Sequence, residues 1–243
     1  MMKCIKLDLK KIFIGKRFLI AVIGIALGML LNFMADSKMA FVANVETYIT
    51  IGFDQSFFLL VYLLCVLPAG ISHCIDYKSG VYRYEIVRCS ARSYSISKTV
   101  AAVVGGFLST TTGLFLSICE AAVLTIVKNK SVSNLVFDKM MMEQQIWRML
   151  IFTLLCAVIS ETAFTVSCFI PNLYVTIVMP MVLFWTINSN IFSFLPNHLQ
   201  LRGIYFGKEN IMSFGYALII SVFLITLLHQ LANYKIKRRM ENG

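Results

Sequence analysis

Two carboxylates set inside long apolar runs, Glu120 and Glu161, are the side chains of this sequence best placed to do chemistry. A charge in a bilayer core is costly, so an acid there faces a cavity, a partner or another polar group. Counted from the outer-boundary cations Lys128 and Arg148, at ~1.5 Å per residue, Glu120 lies ~12 Å and Glu161 ~20 Å into the membrane. Two readings stand open. The acids line a transport path that favours a cationic substrate, or each is protonated or bonded to neighbouring Ser and Thr hydroxyls.

Other chemistry finds no carrier. The chain has no HExxH metal motif, no GxSG nucleophile paired with a suitable histidine, and no GxxxxGK[ST] phosphate loop. It is therefore not expected to be an enzyme on its own, nor to bind ATP in the Walker manner. His73, His198 and His229 are assigned to the inner end of span 2, an outer loop and the inner half of span 6. They are not expected to share a metal. The seven cysteines form no CxxC pair and read as reduced thiols used as small apolar residues.

The elements that must position the acids are membrane helices. Of 243 residues, 58% are hydrophobic and 14% charged, with a mean hydropathy of +0.78, whereas a soluble domain carries roughly 25% charged residues. The net charge of +10 does not indicate nucleic acid. The cations sit in blocks between apolar runs, which suits anionic lipid.

Against the ~20 apolar residues needed to cross a bilayer, six spans are expected: 18–34, 56–75, 99–127, 147–170, 173–195 and 213–234. Pro171-Asn172 breaks the long uncharged run into a hairpin, and Pro180 is expected to kink span 5. Asn188 and Asn190 fall near the outer end of that span, and Asn129-Lys130-Ser131 matches a glycosylation acceptor.

Ahead of the spans, residues 1–17 hold six cations and Asp8, with Ile5, Leu9, Ile12 and Phe13 on one helical stripe. This reads as an amphipathic helix on the inner membrane surface. Lys and Arg number six, five and four in 1–17, 76–98 and 235–239, against one, three and two in the outer loops. Both termini are thus expected inside. The chain reads as all-α, one transmembrane domain over 1–243.

Span 3 carries Ala101, Gly105, Ser109, Gly113 and Ser117 at a strict spacing of four, and span 1 carries Gly24 and Gly28. Small residues at that spacing let helix backbones approach closely in lipid. Packing within the bundle is the expected use, with a pore-lining face as the other reading.

Asp76 to Lys98 is the longest polar segment between spans. It reads acid-xxx-Gly, two arginines, then Tyr-xxx-Lys: Asp76, Gly80, Arg88, Arg92, Tyr94 and Lys98. With the order of a surface helix, two spans, this loop and four more spans, the chain resembles the membrane-spanning subunits of type-2 ABC transporters. It looks most like the bacterial branch that exports antimicrobial peptides or gives immunity to lantibiotics and bacitracin. The resemblance implies that residues 81–92 form a coupling helix docked in a groove of a separate cytoplasmic ATPase. Gly80, Tyr82, Arg83, Tyr84, Arg88 and Arg92 are then the coupling residues. Tyr82, Tyr84, Ile86 and Val87 would be apolar anchors, with the arginines meeting an acidic rim. It also implies a second permease chain, identical or paralogous, and ATP with Mg held by the ATPase.

The substrate would be a hydrophobic or amphipathic molecule, with an amphipathic or cationic peptide as the choice and a lipid, a hydrophobic drug or another antibiotic left open, and the location a bacterial plasma membrane. Two other classes remain open: a secondary transporter or channel, and a non-transport processing, assembly or sensory protein.

Overall fold

The computed structural model describes residues 2–35, 48–49, 55–129, 139–188 and 210–241, and among these it is helical throughout, without strands. The helices are α1 (Met2–Ile14), α2 (Lys16–Ala35), α3 (Gln55–Val66), α4 (Ser72–Lys78), α5 (Val81–Cys89), α6 (Ala91–Asn129), α7 (Lys139–Phe169), α8 (Leu173–Asn188) and α9 (Ile211–Glu241).

Four of them, α2, α6, α7 and α9, are long and apolar enough to cross a membrane. They mark the chain as membrane-embedded. The stretch expected as span 2 is not one helix. It breaks at Leu67–Ile71, where Pro68 and Gly70 interrupt the run, and resumes as the short α4. A β-carbon on Gly70 would stand 3.0 Å from the Ser160 carbonyl, so α7 presses directly on this turn. Pro180 lies inside α8, which continues through it. Ile170-Pro171-Asn172 makes the short connection between α7 and α8, with Asn172 Oδ1 accepting from the Tyr174 amide at 3.1 Å. Asn190, His198 and most of the outer loops lie outside the described residues.

The bundle is built around α6 and α7. The apolar window of α7 is 78% buried and that of α9 only 11%, so α7 is the central helix and α9 the peripheral one. Close approach is bought by small residues. A β-carbon on Gly106 would sit 2.7 Å from Ser160 Cβ and 3.0 Å from the Cys156 carbonyl. Gly106, one residue off the expected stripe, is thus a point of close α6–α7 approach. A β-carbon on Gly105 would stand 3.1 Å from Ala69 Cβ and one on Gly113 2.8 Å from Ile25 Cβ, while Ala101, Ser109 and Ser117 are buried. On α2, Gly24 and Gly28 face Leu64 and Leu60 of α3.

The helix expected to lie on the inner membrane surface also packs against the protein. Ile12 and Leu9 of α1 join a core cluster with Ala101 and Ala102 of α6, and Asp8 is buried beside them. The stripe of residues 5, 9 and 12 therefore faces the bundle. Met2, Leu7, Phe13 and Ile14 are left exposed, as are Lys6 and Lys10.

Candidate functional site

Lys98 opens the site. It stands in the second turn of α6, where the apolar run begins, with its side chain only 3% exposed. A buried ammonium must be paired, and three helices supply the partners. Asp76 of α4 approaches at 2.6 Å, Asp8 of α1 at 2.9 Å and Glu85 of α5 at 3.5 Å. Ser97 Oγ also donates to Asp8 at 2.5 Å, and Lys11 reaches Glu85 at 3.0 Å from the solvent side. One cation thus ties four helices together.

An aromatic cluster backs this hub. His73 Nδ1 and Tyr94 Oη are 2.9 Å apart, and the His73 ring meets Tyr82 and Phe164 edge-on at 5.3 and 5.9 Å. The Tyr82 phenol is held above its ordinary range, chiefly by burial and against the pull of Arg239. Arg239 of α9 closes the cluster. It lies 5.1 Å over the Tyr77 ring and donates to the Phe169 carbonyl at 3.0 Å, which caps the C-terminal end of α7.

The polar segment 76–98 is therefore helical, broken only at Ser79-Gly80 and Ser90. Gly80 turns the chain with φ +76 and open space around its α-carbon, a conformation glycine adopts without cost. The helix that follows, α5, has two faces. Tyr82 and Ile86 point inward and are buried, so they are not available to a partner as anchors. Tyr84 and Val87 point outward at 75% and 87% exposed. Arg83, Arg88 and, in the first turn of α6, Arg92 are exposed as well. Cys4 of α1 and Cys89 of α5 form a disulfide, with Cα atoms 7.2 Å apart, contrary to the expectation that all seven thiols are reduced. The other five cysteines are free.

Glu161 is fully buried and lies one step from the hub. Its Oε1 accepts from Thr99 Oγ1 at 2.9 Å, and Thr99 Oγ1 is 2.9 Å from His229 Nδ1 of α9. Glu161 Oε2 has no hydrogen-bond partner among the described residues. Glu120 is elsewhere, half-buried near Tyr48. It follows Thr99 by 21 positions on α6, about 30 Å along a straight helix. The structure does not bring the two acids together.

Asp8, Glu85, Thr99 and His229 are site residues that sequence reasoning passed over. Asp8 carried a signal, since it shares a helical face with Ile5, Leu9 and Ile12, and an acid in an apolar stripe needs a buried cation. Among the described residues no group of three or more His, Cys, Asp or Glu is placed to hold a metal. No family model, curated protein or solved structure matches this chain.

Proposed function

We propose that this chain is the transmembrane subunit of an ATP-driven exporter of the type-2 ABC kind, with α5 as its coupling helix. The observation that carries the reading is the two-sided build of α5. Its inner face is braced by the Lys98 hub and the aromatic cluster, and its outer face offers Tyr84 and Val87 flanked by Arg83 and Arg88. An exposed apolar pair ringed by guanidinium groups suits a partner groove with an apolar floor and an acidic rim. A helix tied by ion pairs to α1 and α6 can pass a push from that partner into the bundle.

In this reading α3 and α8 complete six crossings, both termini are cytoplasmic, and α1 rests on the inner leaflet through Leu7, Phe13 and Ile14 with Lys6 and Lys10 at the headgroups. ATP and Mg belong to the partner ATPase. A second permease chain completes the assembly in a bacterial plasma membrane. The cargo is a hydrophobic or amphipathic molecule, with a cationic peptide favoured by the acids Glu120 and Glu161.

The test is to look for an ATPase gene beside that of this chain and to co-express the two. The chain should co-purify with it, and Arg88→Glu with Arg92→Glu should abolish both association and transport. A chain that never holds an ATPase, and that tolerates both reversals with full function, rules the reading out.

A further inference from the structure

The ionic hub aligns two thiols. Cys4 precedes Asp8 by one helical turn on α1, and Glu85 precedes Cys89 by one turn on α5. Residues four apart share a helix face, so each sulfur lies on the face whose carboxylate is anchored on Lys98. Lys11 fastens the same two helices again through Glu85. The sulfurs meet although the residues are 85 apart in sequence, on helices that the ion pairs hold together.

We propose that Cys4 and Cys89 are a reversible thiol–disulfide site. Its oxidant is a low-molecular-weight disulfide of the glutathione class, and its closure fastens α1 to the docking helix. The proposal rests on the cytoplasmic placement of α5 given above. In a reducing compartment a disulfide is transient and regulatory rather than a permanent staple. Both cysteines are half-buried, within reach of a small reagent. Cys65, Cys74, Cys156 and Cys168 are buried, and the exposed Cys119 lies far along α6.

The chemistry is two exchanges. One cysteine thiolate attacks a sulfur of the small disulfide, forms a mixed disulfide and expels one small thiolate. The second cysteine, as thiolate, attacks the protein sulfur of that mixed bond, forms Cys4–Cys89 and expels the second. The two cysteines lose two electrons and two protons between them, and the reagent leaves as two thiols. Tyr84 and Val87 stay exposed with the bond closed. Closure therefore leaves the docking face open and restricts the motion of α5 against α1.

The full-length chain in lipid nanodiscs, exposed to oxidised glutathione, should lose two thiols and yield a peptide cross-linked through Cys4 and Cys89. Dithiothreitol should restore both thiols. Cys4→Ser and Cys89→Ser should each abolish the cross-link, and Asp8→Asn with Glu85→Gln should slow it at least tenfold. In the chain assembled with its ATPase, oxidation should lower ATP turnover severalfold in the wild type and leave Cys4→Ser unaffected. Absence of the cross-link, or turnover indifferent to it, overturns the inference. Labelling of Cys4 or Cys89 by an impermeant thiol reagent on intact cells overturns the cytoplasmic placement and the inference with it. A cross-link formed as expected in a chain that binds no ATPase would leave the thiol site standing and remove the exporter reading.

Discussion

Lys98 Nζ lies 2.6 Å from Asp76 Oδ2, so the last and first residues of the polar segment 76–98 close on each other. The pair clasps the segment at its base and turns a stretch of basic chain into a helical hairpin whose tip is α5. Asp8 and Glu85 complete the clasp from α1 and from the hairpin itself.

The clasp should dominate local stability. Removing one partner of a buried ion pair leaves uncompensated charge and costs about 3–5 kcal/mol, whereas an exposed pair contributes roughly 0–1 kcal/mol. Lys98→Met should therefore lower the apparent Tm of the detergent-solubilised chain far more than Lys11→Met, whose side chain is 61% exposed. Equal shifts in the two variants would show that Lys98 is not the hub.

The two faces of α5 should respond oppositely to a charge. Ile86→Asp buries a carboxylate in the cluster and should yield unfolded or degraded protein, seen as loss of the monodisperse peak in size-exclusion chromatography. Val87→Asp, at a position 87% exposed, should purify normally and lose ATPase association. A Val87→Asp chain that still binds the ATPase would remove α5 from the docking surface.

Gly106 should not accept a methyl group. Alanine there drives its β-carbon against Ser160 and the Cys156 carbonyl, and overpacking of this kind costs about 1–3 kcal/mol. Gly215→Ala meets no described residue within 4 Å and should leave the Tm unchanged or slightly raised. Thermal unfolding of the two variants side by side decides the matter.

Glu120 and Glu161 should act independently. Groups more than ~10 Å apart without shared partners contribute additively, so the effects of Glu120→Gln and Glu161→Gln on transport or resistance should multiply in the double variant. Glu161→Gln retains an acceptor for Thr99 and should express normally. Normal transport by the double variant would show that neither acid serves the substrate path. A double variant no worse than either single one would show that the acids share one site.

The sequence by itself determined the helical class, because long apolar runs in lipid must satisfy their backbone groups internally. It also located the basic blocks and the small-residue stripe of α6, which are local patterns. It did not tell which face of α1 or α5 turns inward. Both helices carry apolar residues on more than one side, and only packing against Ala101, Ala102 and Phe164 chose Ile12, Tyr82 and Ile86 for burial. Nor did it separate the two acids, since equal-looking apolar spans hide the axial offset between α6 and α7. The hub itself joins residues 8, 76, 85 and 98. Tertiary structure alone decided that contact, because a buried ammonium takes whichever carboxylates the packed helices bring within reach.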